Sequence, residues 1–107
     1  MEEIKGVSPE AEIITNENGG MQSKTEYAFH LCDPMALLKL AEVMQIGADR
    51  YERDNWKKID AESHWNHLII HLMAWKTGDK QDDHLGHAMA RMMMLFTMAN
   101  EEENKNK

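Results

Sequence analysis

Apolar residues recur at helical spacing along three separate stretches of the chain. In the first stretch, a stripe with a period near 3.6 residues is formed by Leu37, Ala41, Met44, Ala48 and Tyr51. Asp33 followed by Pro34 is typical of a helix start, since aspartate is a good N-cap and proline is tolerated at the first helical position. The pattern therefore predicts a first helix at about 34–53.

The second and third stretches predict two more helices, joined by a short polar loop. A helix at about 61–77 is indicated by Asp60 as N-cap and by Gly78 just past the C-terminal end. A further helix at about 84–100 has Asp82 or Asp83 as its N-cap. Because the loop "GDKQDD" is short, these two helices should form an antiparallel hairpin packed on the first helix. The predicted fold class is all-α, a small helical bundle.

The two ends of the chain lack this periodicity. Residues 1–32 contain the turn signal "NENGG" between "EIIT" and "TEYAF", which joins two extended pieces or stays loosely ordered until a ligand binds, and no stable strand is predicted. The tail 101–107, "EEENKNK", has nothing to bury and should be frayed. The chain is therefore divided into an N-terminal extended or loop segment at 1–32, a helical domain at 33–100 and the tail.

Composition narrows the class of protein. The formal net charge of −7 argues against binding duplex nucleic acid but allows a nucleotide, which needs only a few cations. No apolar run is long enough for a membrane span and no secretory signal is visible, so we expect a cytoplasmic protein. Eight of the ten methionines lie on the three short helices, whose Met-rich faces would leave apolar surface exposed. We therefore expect a homodimer or larger homo-oligomer, unless the N-terminal segment folds back over that surface.

Five of the six histidines follow two matching polar stripes that border the apolar arcs of the last two helices. Antiparallel packing would set His71 and His87 at similar depth and place His84 near the aspartates of the loop. These side chains would then form one polar seam, able to bind a divalent metal through mixed nitrogen and oxygen ligands. The candidate metal ligands are His67, His71, Asp79, Asp83, His84 and His87. Manganese or magnesium is expected first, with zinc, iron or nickel as alternatives.

Other residues of the same region suit a phosphate or a base. Arg91 and His64 can donate to phosphate oxygens, and Lys57 beside Trp56 offers charge and a stacking surface. One of Asp82 and Asp83 is needed as an N-cap, which leaves the other free for catalysis. The alternative for the histidines is partial burial with hydrogen bonds to neighbours, and for Trp56 it is closure of the bundle end. At Gly19 and Gly20 the backbone can approach a phosphate, although an ordinary turn explains them equally well.

Residues 16–98 resemble the phage and prophage family of dATP/dGTP diphosphohydrolases, an all-α group of MazG-like type. The resemblance is carried by "GADRYERDNW", "NHLIIH", "GDKQDDHLGHA", Arg91 and the "GGMQS" segment. It implies a bundle that uses a divalent metal to split purine deoxynucleoside triphosphates into the monophosphate and pyrophosphate in the cytoplasm of a bacterial host. By position, it implies metal binding by the histidines and aspartates of the seam and substrate contacts from Asn55 and Trp56.

Two functions from different classes stay open. In the first, an enzyme, the expected catalytic residues are Asp82, Asp83 and Arg91. Its expected substrate-binding residues are Gly19, Gly20, Gln22, Ser23, Asn55, Trp56, Lys57, His64 and Arg91. In the second, the same residues bind a nucleotide without cleaving it, as a phage protein that sequesters a nucleotide defence signal would. A third possibility is a helical oligomer whose histidines only tune packing.

Overall fold

A computed structural model describes residues 4–105, which divide between Asp33 and Pro34 into two compact units. The C-terminal unit contains three α-helices: α1 at Pro34–Arg50, α2 at Ala61–Thr77 and α3 at His84–Lys105. A short 3-10 turn, Asn55–Lys58, lies between α1 and α2. The observed bounds of α2, and the observed first residues of α1 and α3, are those that the sequence predicted.

Helix α1 ends at Arg50, three residues before the predicted end. The chain turns away because two of the next residues have positive φ angles, Glu52 at 150° and Asp54 at 63°. Asp54 lies in the left-handed region, which aspartate tolerates better than most residues. The polar segment after α1 is thereby bent into the 3-10 turn that leads to α2.

Helix α3 continues to Lys105, so the tail predicted to be frayed is helical over residues 101–105. The Glu102 carboxylate accepts a hydrogen bond of 3.1 Å from the backbone N–H of Ala61. That N–H is in the first turn of α2, where backbone donors have no partner within their own helix. The tail was predicted to be frayed because it has no apolar residues to bury, and that prediction missed this polar contact between the two helices.

Helices α2 and α3 form the predicted antiparallel hairpin, which makes the most extensive packing interface, and α1 packs against α3. The buried apolar side chains are small or slender, which allows the helices to approach closely. They are Val43, Ala61, Leu68, Ala88, Ala90 and Met98. Among the described residues, no helix is both long enough and apolar enough to cross a membrane.

The N-terminal unit contains a β-hairpin, so the fold is predominantly helical but not all-α. Strand β1 at Ile13–Thr15 pairs antiparallel with β2 at Met21–Ser23, with Ile13 opposite Ser23. The second strand is therefore "MQS", which precedes the predicted "TEYAF" piece. The turn is tight because the Asn16 side chain accepts hydrogen bonds from the backbone of Asn18 and Gly20, both at 2.9 Å.

Candidate functional site

The helical unit contains a cavity of about 1000 Å³. Its walls come from the C-terminal half of α1, the irregular segment that follows, and the facing sides of α2 and α3. This volume lies at the upper end of the range typical of small-molecule sites. The polar side chains of the wall include Arg50, Tyr51, Asn55, His67, His71, Asp82, His87 and Arg91.

Three of these side chains converge at the loop end of the helical hairpin. His71 of α2, Asp82 of the loop and His87 of α3 each bring one possible ligand atom within 4.8 Å of the others. The Nε2 atom of His87 lies 3.3 Å from Oδ1 of Asp82. The rings of His71 and His87 are nearly parallel, with centroids 5.1 Å apart. The predicted similar depth of His71 and His87 in the hairpin is therefore confirmed.

His71 is hydrogen-bonded to His84, which is hydrogen-bonded in turn to Asp79. Nδ1 of His71 lies 3.0 Å from Nδ1 of His84, and Nε2 of His84 lies 2.5 Å from Oδ2 of Asp79. Asp79 follows Gly78 directly, so the end of α2 determines where this carboxylate lies. Both Asp79 and His84 were predicted to be metal ligands, and the structure instead pairs them with each other.

Asp82 and Asp83 have different environments, which the sequence left open. Asp83 caps α3, because its Oδ1 accepts a 3.1 Å hydrogen bond from the backbone N–H of Gly86. A Cβ atom at position 86 would collide with this carboxylate. Asp83 also forms an ion pair of 3.3 Å with Lys39 of α1. Asp82, in contrast, lines the cavity beside His87. Its Oδ1 accepts a 2.8 Å hydrogen bond from the backbone N–H of Asp83, and the other lone pairs of its carboxylate face no capping contact and are available for chemistry.

Arg91 reaches the cavity from α3 and is held by a neutral partner. Its Nη1 atom lies 3.0 Å from Nδ1 of His64, whose Nε2 lies 2.9 Å from the backbone oxygen of Trp56. Since a guanidinium only donates, Nδ1 of His64 must accept and Nε2–H must donate to the carbonyl. His64 is completely buried. In place of the predicted contact with substrate, His64 therefore connects Arg91 to the segment after α1.

Burial and local charge shift the ionisation of several of these groups. Burial lowers the pKa of His71, and the neighbouring His87 and His84 lower it further. Desolvation and the charge of Arg91 lower the pKa of His67. The hydrogen bond from His84 lowers the pKa of Asp79. At neutral pH, His71 therefore offers a neutral imidazole and Asp79 a carboxylate, the protonation states that suit a metal ligand and its support.

The remaining predicted residues are distributed over both units. Asn55 and Trp56 line the cavity, whereas the Lys57 ammonium lies outside its wall, 5.5 Å from the Trp56 ring centroid. Gly19, Gly20, Gln22 and Ser23 belong to the β-hairpin of the N-terminal unit. The backbone N–H groups of Gly19 and Gly20 already donate to Asn16 within the turn, so they are not free for a phosphate in this conformation.

Sequence reasoning missed part of the cavity wall. Tyr51 was assigned to the apolar stripe of α1, but it lines the cavity and its ring lies 5.2 Å from the guanidinium carbon of Arg50. The concentration of polar residues in "DRYERDN" at the predicted end of α1 was the available signal. This signal alone does not place the segment in the cavity wall, because its course depends on the positive φ angles that bend it toward the helical hairpin.

The fold and the site define a small helical protein in which a cluster of histidine and aspartate lies beside an arginine in one cavity. Residues 16–107 match the profile of the family described as dATP/dGTP diphosphohydrolase, N-terminal, and the chain belongs to that family. The resemblance inferred from the sequence is thereby confirmed. No curated protein and no solved structure matches the chain.

Proposed function

We propose that this protein is a metal-dependent pyrophosphohydrolase that splits dATP and dGTP into the nucleoside monophosphate and pyrophosphate. The observation that carries the proposal is the position of Arg91, which lines the same cavity as the cluster of His71, Asp82 and His87. The description of the family supports the reaction and the purine substrates.

Arg91 is suited to bind the triphosphate. Among the described residues it has no carboxylate partner within ion-pair distance, and His64 engages only one of its nitrogens. Partial burial withdraws the guanidinium from water and lowers the pKa of Arg91. An anion in the cavity would therefore gain a charge-assisted, bidentate contact with the remaining face of the guanidinium.

The cluster of His71, Asp82 and His87 fits a divalent cation, because two neutral imidazoles and one carboxylate form a common mixed ligand set. Such a cation would polarise the phosphoryl oxygens and offset the charge of the leaving pyrophosphate. The chain itself orients the substrate, with Arg91 at the phosphates and Trp56 in the wall as a surface for the purine.

The test is to incubate the purified protein with each of the four dNTPs and either Mn²⁺ or Mg²⁺, and to separate the products by anion-exchange chromatography. We expect dAMP or dGMP together with equimolar pyrophosphate. Arg91→Ala should reduce turnover by about 100-fold or more, as for loss of one preorganised donor to a developing charge. Lys76→Ala, which removes an exposed charge at the end of α2 outside the cavity wall, is the matched control.

Other products would contradict the proposal in distinct ways. Release of orthophosphate would show cleavage at a different bond. Intact nucleotide that remains bound would favour the second function, a nucleotide-sequestering protein that uses the same cavity. Equal rates for Arg91→Ala and Lys76→Ala would show that Arg91 does not contact the triphosphate.

A further inference from the structure

The geometry points to a binding site for an imidazole-preferring first-row transition metal, with His71, Asp82 and His87 as its ligands and with Asp79 and His84 as positioning residues. The ion class is Zn²⁺, Fe²⁺, Co²⁺ or Ni²⁺, in preference to Mg²⁺. This inference deepens the proposed function, from which it takes only the location of the cation. The sequence predicted that Asp79 and His84 are metal ligands, and this inference makes them positioning residues instead.

The ligand atoms of the cluster have the spacing that a bound metal ion requires. At a metal–ligand distance of about 2.1 Å, two ligands lie roughly 3.0 Å apart at a right angle and roughly 3.4 Å apart at a tetrahedral angle. The separation of 3.3 Å between Nε2 of His87 and Oδ1 of Asp82 falls in this interval. With the His71 ligand atom no further than 4.8 Å from either, only small side-chain rotations are needed to close the set.

The donor atoms of the cluster suit a transition metal better than Mg²⁺. Mg²⁺ prefers oxygen ligands in an octahedron and retains most of its water, whereas imidazole suits zinc, iron and nickel. Two of the three donors here are imidazoles. The remaining carboxylates nearby are already engaged, Asp83 as the cap of α3 and Asp79 with His84. An oxygen-rich magnesium site would require these carboxylates to abandon those contacts.

Hydrogen bonds with His84 and Asp79 orient His71 for metal binding. When both rings are neutral, Nε2–H of His84 donates to Asp79, and Nδ1 of His84 accepts from Nδ1–H of His71. The Nε2 lone pair of His71 is then free to bind a metal. Histidines that ligate metals almost always donate their other ring N–H to a carboxylate, a backbone carbonyl or water, which fixes the tautomer and the ring orientation. Here the imidazole of His84 takes the place of that acceptor and passes the contact on to the Asp79 carboxylate. His84 is well placed for this role, since only 10% of its side chain is exposed.

The experiment uses the full chain, freed of metal with a chelator and titrated with Co²⁺ in the absence of nucleotide. Bound Co²⁺ gives visible absorption bands that report its coordination. We expect saturation at one ion per chain, displacement by Zn²⁺ and persistence of the bands in a large excess of Mg²⁺. Bands that disappear at an equal concentration of Mg²⁺, or that never form, would overturn the assignment.

Single variants separate ligands from positioning residues. His71→Ala and His87→Ala should abolish the bands, whereas His30→Ala, at an exposed histidine of the N-terminal unit, should keep them and serves as the control. Asp79→Asn and His84→Gln should weaken Co²⁺ binding by about 10- to 100-fold with little change in the band positions. Loss of the site in His30→Ala, or a new band pattern in His84→Gln, would contradict the assigned roles.

The outcome is separable from that of the proposed function. Nucleotide binding is measured independently of the metal, by calorimetry that compares the wild type with Arg91→Ala in the presence of a chelator. A protein that binds Co²⁺ as described but never cleaves dNTPs would overturn the proposed function and leave the metal assignment standing. A protein that cleaves dGTP with Mg²⁺ and shows no Co²⁺ bands would do the reverse.

Discussion

His64 has an environment unlike that of the other histidines in the helical unit. Its side chain is completely buried, and both of its ring nitrogens have partners on other elements, Arg91 on α3 and the backbone of Trp56. A buried imidazole with two satisfied nitrogens costs little, but its removal leaves two polar groups without a partner. His64 therefore links the stability of the helical unit to the position of the cavity arginine.

We expect His64→Ala to lower the free energy of unfolding by about 2–4 kcal/mol, from the lost packing and from the two groups left unsatisfied. Urea denaturation followed by circular dichroism measures this loss. His67→Ala is the matched control on the same helix, since His67 is exposed and should change stability by less than about 0.5 kcal/mol. Equal values for the two variants would show that the buried contacts of His64 contribute no stability.

The two ends of α2 are fixed by backbone chemistry that the sequence shows clearly. Asp60 accepts a hydrogen bond of 3.3 Å from the backbone of Ser63 at the start, and Gly78 adopts a φ of 89° at the end. The N–H of Asp79 then closes the helix on the carbonyl of Ala74 at 3.1 Å. This closure sets the position of Asp79 opposite His84, so the helix end also shapes the candidate metal site.

We expect Gly78→Ala to destabilise the protein by about 1 kcal/mol, because alanine is strained at a left-handed φ although its Cβ would meet nothing within 4 Å. Gly47→Ala is the opposite control. It too adds a methyl group in open space, but within α1, and should stabilise by about 0.5–1 kcal/mol. Thermal or urea unfolding of both variants checks the signs, and a Gly78→Ala protein as stable as the wild type would contradict the role of the cap.

Elements with strong periodicity and caps could be predicted, and those that depend on contacts distant in sequence could not. The bounds of α2 followed from Asp60 and Gly78, and the pairing of His71 with His87 followed from the short loop of the hairpin. The strands near Asn16 were missed because three-residue strands carry almost no pattern. The true end of α3 was missed because it depends on Glu102 reaching α2.

In the candidate site, too, the local sequence pattern identified residues, but contacts between residues could not be predicted. Spacing on a helix identified the histidines, but it assigns no roles among them. Asp79 and His84 looked like ligands because they are close to the others in sequence, and only the geometry shows that they bond to each other. Whether Asp82 or Asp83 would cap α3 was undecidable by composition, since either residue type serves equally well as an N-cap.

The helical unit exposes many large apolar side chains for its size. On α3, Leu85, Met92 and Phe96 are 44%, 47% and 66% exposed. Their spacing of seven and four residues places them on one face of the helix, where they form a continuous stripe. Small soluble proteins rarely leave such a stripe uncovered, and self-association through a two-fold axis is the commonest way to cover it.

We therefore expect the protein to have a solution mass of at least twice that of the 12.4 kDa chain. Light scattering coupled to size-exclusion chromatography measures this mass. Phe96→Lys should shift it toward the monomer, because a charge within an apolar interface is desolvated without a partner. Glu101→Lys, on another face of α3, should leave the mass unchanged. A wild-type mass of one chain would contradict this expectation.

The loop between α2 and α3 imposes a constraint on how this protein can diverge. Between Gly78 and His84 there are five residues, and three of them have separate tasks: Asp79 binds His84, Asp82 faces His87 and Asp83 caps α3. An insertion or deletion would shift at least two of these aspartates out of register with their partners. Gln81 also contributes, because its side-chain amide donates a 3.2 Å hydrogen bond to Asp79. Lys80 should therefore vary among relatives while the length of the loop stays constant, although loops elsewhere usually tolerate changes in length.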